Sequence, residues 1–226
     1  MEKNQYSLCL EVLRRFNKAN ILKDVVLIGS WCLPFYKSYF SGIEYQSSIK
    51  TRDMDFLVPT SLKKKVNVDL PDLLKDLGFI VGFKGSQGYI KLEHPDLVIE
   101  FLVPEKGRGG DGPFFLPQLG LNAQPLRFLD FLFKNTIIVS VEGIPVTLPH
   151  PINFALHKLI IFQRRKNSDK ITKDREQAIK ILNALIKKGE AADIKDVFCK
   201  IPKSWQQKIS LGLEELEEYN IIQLLK

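Results

Sequence analysis

The sequence predicts an α+β fold, a mixed sheet with helices on one face followed by a helical C-terminal lobe. Short β-branched and aromatic runs cluster between residues 25 and 148, whereas everything from Ile152 onward has helical periodicity. Between the two regions Pro149, His150 and Pro151 punctuate the chain, and proline suits the first turn of a helix. A length of 226 residues suffices for one good core and a smaller helical companion. Two domains are therefore expected, 1–149 with the sheet and 150–226 helical.

Each element has its own signal. Tyr6, Cys9, Leu10, Leu13 and Phe16 recur at helical spacing, predicting an amphipathic helix over 5–18 that covers the sheet. Val25-Val26-Leu27-Ile28 is a strand ended by Gly29-Ser30. Trp31 to Phe40 then reads as a helix with Pro34 in its first turn. Ser41 to Lys50 is a polar loop long enough to lie over a site. A strand over 54–58 precedes a helix over 72–77 stopped by Gly78, and strands follow at 79–83, 88–93 and 97–103. From Pro104 to Arg127 the composition changes sharply, and 106–113 is almost without apolar content. That stretch reads as a loop, either a mobile basic flap offering Lys106 and Arg108 or a surface excursion. Thr136–Val141 and Ile144–Leu148 alternate around Glu142-Gly143, a hairpin signal. Helices are expected over 152–166, 171–187, 190–199 and 203–224, with no internal repeat.

The chemistry concentrates at Asp53 and Asp55, within Thr51-Arg52-Asp53-Met54-Asp55-Phe56. Strand side chains alternate faces, so both carboxylates share one side while Met54 and Phe56 take the other. Two hard oxygen ligands in that arrangement can hold Mg²⁺. An acidic turn at a strand entrance is the bland alternative, but aspartate disfavours strands. Arg52 would point to the other face. Gly29 lets backbone approach a phosphate, backed by the helix start at Ser30; Ser30 as a plain helix cap is compatible with this. Glu100, flanked by Ile99 and Phe101, needs a cation or a partner in so apolar a strand, and Lys91 across the hairpin is the alternative partner.

An apolar strand, Gly29-Ser30, the Asp53-x-Asp55 pair and a later strand acid, Glu100, resemble the DNA polymerase β-like nucleotidyltransferase superfamily. Within it, the chain looks most like bacterial and archaeal members that include toxins of toxin–antitoxin and abortive-infection systems. Leu156-His157-Lys158-Leu159, Gln163-Arg164-Arg165 and Lys173-Asp174-Arg175-Glu176 match the Lys, Arg and Asp helices of those proteins. The stretch from Ser30 to Asp53 is longer than in compact members of the superfamily. The resemblance implies a polymerase β-like fold whose catalytic domain is 1–149. It also implies transfer of an NMP from an NTP to an acceptor hydroxyl of RNA, protein or a small molecule, with pyrophosphate release. Asp53, Asp55 and Glu100 would hold two Mg²⁺ or Mn²⁺ ions, Gly29 and Ser30 would hold phosphate, and the nucleotide would bind between the lobes.

Lys158 and Arg165 are seven residues apart and so share a helical face, unlike Arg164. Together they could hold the β and γ phosphates or an RNA backbone, unless they merely form a solvated basic face. Asp174 falls on the buried side of its helix, where it wants a cation, and Lys158 is the candidate.

A net charge of +7 and a pI near 9.2 favour a polyanionic partner such as an RNA acceptor. The N-terminus lacks a signal-peptide layout and no apolar run approaches a membrane span, so a cytoplasmic protein is expected. Cys9, Cys32 and Cys199 have no CxxC spacing and are expected to be buried thiols. His94, His150 and His157 have neither ligand-like nor triad-like spacing. Two other classes compete, a non-catalytic nucleotide- or RNA-binding regulator of the same fold and a metal-dependent nuclease. Retention of three acids argues against the first, and the Gly-Ser phosphate grip against the second.

Overall fold

The protein is described by a computed structural model, which describes residues 3–46, 51–60, 67–105 and 112–226. Lys106, Arg108 and the end of the 41–50 loop lie outside the described residues. The chain divides into two compact units, Met1–Tyr39 with Gln46–Pro149, and Phe40–Tyr45 with His150–Lys226.

The first unit begins with α1 (Lys3–Lys18), β1 (Val26–Ile28), a 3₁₀ turn at Gly29–Trp31 and α2 (Cys32–Phe35). The expected helix from Trp31 to Phe40 is thus cut to four α-helical residues plus turns, and no Ser30 side chain caps it. Tyr36 instead donates its hydroxyl to the Pro149 carbonyl at 2.7 Å. Next come β2 (Asp53–Leu57), α3 (Leu70–Leu74), β3 (Ile80–Lys84), β4 (Tyr89–Glu93) and β5 (Val98–Pro104). β6 (Phe114–Leu116), β7 (Leu121–Leu126), α4 (Asp130–Phe133), β8 (Thr136–Val141) and β9 (Ile144–Pro149) complete it. β8 and β9 form a separate hairpin, turned by Glu142 and Gly143, both at positive φ, as a two-residue loop of this hand requires.

Among the described residues seven strands form one mixed sheet. β2 pairs antiparallel with β1 and parallel with β5. The other edge of β5 is shared: residues 98–100 pair antiparallel with β4, and residues 102–104 pair parallel with β7. At the hand-over the buried side chain of Asn122 accepts from Ile90 N at 2.8 Å and donates to Gly88 O at 3.1 Å. It thereby satisfies backbone that β5 no longer reaches. β6 and β7 lie beyond the 106–113 loop, in a stretch for which the sequence reading assigns no strand. Asn122, Gln124 and Pro125 are poor strand formers, and pairing with β5 overrides that local preference.

One face of the sheet is covered by α1, whose Phe16 ring lies 5.2 Å from Phe56 and 6.3 Å from Phe101. On the opposite face, Val26, Ile28, Leu57 and Leu102 cluster with Leu129 and Leu132 around α4. The expectation of helices on one face only is corrected: α4 seals the apolar half of the second face, and the acidic half stays uncovered by this cluster.

The second unit comprises α5 (Pro151–Ile161), α6 (Ser168–Lys187), α7 (Ala191–Lys200), α8 (Lys203–Glu214) and α9 (Tyr219–Leu225). Pro151 opens α5, and the His150 side chain accepts from Ile152 N. The single helix expected over 203–224 is broken between α8 and α9, where Glu217 adopts positive φ. Gly212 of α8 lies so close to Phe162 that an added Cβ would sit 2.7 Å from the ring. Tyr45 of the 40–45 segment lies under the Lys180 ammonium of α6 at 6.0 Å.

Cys9 and Cys32 are buried, but Cys199 is exposed, correcting the expectation of three buried thiols. Cys199 lies on α7 beside Lys200 near the helix end, where the helical period turns it outward. Among the described residues no helix is long and apolar enough to cross a membrane.

Candidate active site

The carboxylates are positioned by strand register. Asp55 of β2 lies directly opposite Glu100 of β5, and Asp53 opposite Val98. In-register neighbours share a face, as do residues i and i+2, so Asp53, Asp55 and Glu100 all project from the same side. The alternate residues, Met54, Phe56, Ile99 and Phe101, are buried on the α1 side. The apolar core thus fixes which way the acids point. Strands are spaced about 4.8 Å apart, so Asp55 and Glu100 are close neighbours, with Asp55 and Glu100 half-buried and Asp53 exposed.

Gly29 meets this face just past the end of β1, whose last residue Ile28 pairs with Asp55. Its φ is +75°, and a Cβ placed on it would lie 2.7 Å from Asp55 Oδ2. Glycine here serves both a left-handed backbone and a close approach to a carboxylate. Because α2 spans only Cys32–Phe35, what this segment offers a phosphate is close backbone, not the field of a long helix.

Glu100 has a partner that sequence reading missed. Lys84, the last residue of β3, places Nζ 2.6 Å from Glu100 Oε2. Lys91 lies opposite Glu100 in the register but its ammonium pairs with Glu93, correcting Lys91 as the alternative partner. The Lys91 pKa is raised, chiefly by its hydrogen bond to Glu93 and further by Glu100 and Asp53. Counting the hairpin outward from the Gly85–Gly88 turn places Lys84 on the same face as Lys91, the signal that could have found it. Among the described residues no three His, Cys, Asp or Glu side chains converge as a ready metal cage. Arg52 donates to the His94 carbonyl at 2.9 Å.

The remaining predicted residues belong to the helical unit. Lys158 of α5 is buried, with Nζ 2.5 Å from Asp174 Oδ1 of α6, and Arg165 Nε lies 3.0 Å from Asp174 Oδ2. Arg165 is not on the helix of Lys158. α5 ends at Ile161, a 3₁₀ turn follows, and Arg165 is extended. The same-face argument is corrected, since Arg165 reaches Asp174 through this chain reversal. Burial alone would raise the Asp174 pKa, but the charges and hydrogen bonds of Lys158 and Arg165 outweigh it and hold it below the usual carboxylate range. His157, beside Lys158, has a buried Nε2 with no hydrogen-bond partner among the described residues. Burial, reinforced by Lys158, pushes its pKa down to about 3, so it is neutral at physiological pH.

A family model described as nucleotidyltransferase matches residues 8–201. No curated protein matches the sequence. Among solved structures, the chain is similar to the crystal structure of ANT(2")-Ia in complex with adenylyl-2"-tobramycin, with TM-score 0.51 and 14% identity, over 87% of this chain and 99% of that one. A crystal structure of an antigenic nucleotidyltransferase-like protein from Paracoccidioides brasiliensis matches with TM-score 0.49 and 14% identity, over 96% of this chain and 90% of that one. At these identities the first likeness supports the fold alone. With the family match spanning most of the sequence on this acid-bearing mixed sheet, the chain belongs to the nucleotidyltransferase family.

Proposed function

We propose that the protein moves an NMP from an NTP to an acceptor hydroxyl and releases pyrophosphate, with its chemistry on the Asp53, Asp55 and Glu100 face. The observation that carries this is the Asp55–Glu100 register pair, backed by Gly29 in the turn that follows the neighbouring strand β1. Three carboxylates on one face form the all-oxygen donor set that Mg²⁺ or Mn²⁺ prefers, completed by water and substrate phosphates. Two such ions, when bound, would neutralise phosphate charge and lower the acceptor hydroxyl's pKa. Asp53 and Asp55 would hold both ions, and Glu100 would hold the acceptor-side one and receive the acceptor proton. Gly29 brings backbone close to the triphosphate, with Ser30 beside it. Within the helical unit, Asp174 holds both Lys158 and Arg165.

The surroundings of Glu100 bear on the acceptor. Lys84 and Lys91 flank it, and the whole chain carries +7. That charge favours an anionic acceptor such as RNA over a polyamine sugar like tobramycin. A second reading, a non-catalytic nucleotide-binding regulator, has one observation in its favour, the neutralisation of Glu100 by Lys84. Protein incubated with each α-labelled NTP and Mg²⁺ or Mn²⁺ is offered separate RNA, protein and small-molecule fractions and purified tobramycin. Label entering the RNA fraction supports the proposal in full. Label entering tobramycin instead overturns the acceptor assignment, and label entering nothing favours the regulator.

A further inference from the structure

We infer that Lys84 is a built-in counter-ion of Glu100, occupying the third acid until a divalent ion displaces it and thereby setting how tightly that ion binds. This rests on the proposed metal-dependent transfer. Glu100 sits on β5, which has strands on both edges, next to Asp55 in register. Its side chain is only 15% exposed. A carboxylate so enclosed and so near another acid is destabilised unless a cation stands beside it. Lys84 supplies that cation at 2.6 Å.

The other half of the pair is built differently. Lys84 lies at the open end of β3, just before the turn through Gly85 and Gly88, and 47% of its side chain is exposed. The backbone of the hairpin is fixed by Asn122, through Ile90 N and Gly88 O, so the Lys84 Cα is held while its four-carbon stem can swing. An ammonium in that setting loses little when it returns to water, whereas Glu100 cannot leave the sheet. Arrival of a divalent ion at Glu100 therefore releases Lys84.

The test is Mn²⁺ binding to the whole protein, followed by calorimetry, for the wild type, Lys84→Met, Lys84→Arg and Asp55→Asn. Lys84→Met should bind the weaker Mn²⁺ ion about fivefold more tightly, the equivalent of an exposed ion pair no longer in competition. Lys84→Arg should return the affinity to near the wild-type value, which a merely structural role for the lysine stem would not produce. In metal-free protein Lys84→Met should melt earlier than the wild type, and Mn²⁺ should raise its melting temperature by more. Equal Mn²⁺ affinity in the wild type and Lys84→Met, with binding still lost in Asp55→Asn, would overturn the role of Lys84 and leave the metal site standing. Absence of any Mn²⁺ binding sensitive to Asp55→Asn would overturn both.

Discussion

Gly29, just past β1, lies against Asp55 of β2: a Cβ on Gly29 would fall 2.7 Å from Asp55 Oδ2, on a residue whose φ is already +75°. Gly29→Ala should therefore cost about 1–2 kcal/mol from left-handed backbone strain and push the Asp55 carboxylate aside. Displacement of a reacting group by about 1 Å can cost about 10²-fold in rate, so transfer should fall far more than stability. Thermal melts and steady-state transfer rates on the same preparation separate the two effects. Wild-type turnover in Gly29→Ala would show that the close approach is idle.

Asp53→Asn and Asp55→Asn should each abolish metal-supported NTP binding while the melting temperature holds or rises. Each change removes a ligand and a charge, and also relieves acid–acid repulsion in metal-free protein. Isothermal titration with an NTP analogue in Mg²⁺, paired with melts in EDTA, checks both halves. A destabilised variant would mean that these acids are structural.

Asp174 serves two cations, so removing it should do more damage than removing either. Asp174→Asn leaves Lys158 buried without its charge partner and should cost about 3–5 kcal/mol. Arg165→Ala, at a side chain 38% exposed, should cost no more than about 1 kcal/mol. Lys158→Met together with Asp174→Asn should recover part of the summed loss, and strictly additive denaturation midpoints would contradict the pairing. Because the Asp174 pKa is lowered in the folded protein, its contribution is present above the unfolded value of about 3.9. It is lost as pH falls through the folded value.

Buried His157 gives stability a second pH dependence. Its folded pKa lies near 3 against an ordinary 6.5, so between those values the unfolded chain binds a proton that the folded one refuses. Stability should rise with pH across this window by about 1.4 kcal/mol per unit for that one proton, and His157 should contribute no slope above it. His157→Leu should reduce the slope by this amount in urea melts between pH 4 and 6. An unchanged slope would mean that His157 is protonated in the folded protein.

How much was legible follows the range of the interactions involved. The shared face of Asp53 and Asp55 is a two-residue period, and the buried side of Asp174 a helical one, so both could be read locally. The pairing of Asp55 with Glu100 depends on register between strands 45 residues apart, for which spacing carries no signal beyond membership of one sheet. β7 was invisible for the same reason: Asn122 and Pro125 do not look like strand, and only β5 makes them one. Lys84 was within reach of hairpin counting. Arg165 was not, because its approach to Asp174 depends on how α5 ends.

The most direct measurement follows an NTP labelled at both its α and γ phosphorus through one reaction with Mg²⁺ and the acceptor fraction. The account predicts α label on the acceptor and γ label in pyrophosphate, one for one, with both lost in Asp55→Asn. Release of γ label as inorganic phosphate, α label remaining on free nucleotide, or equal products from Asp55→Asn would contradict it.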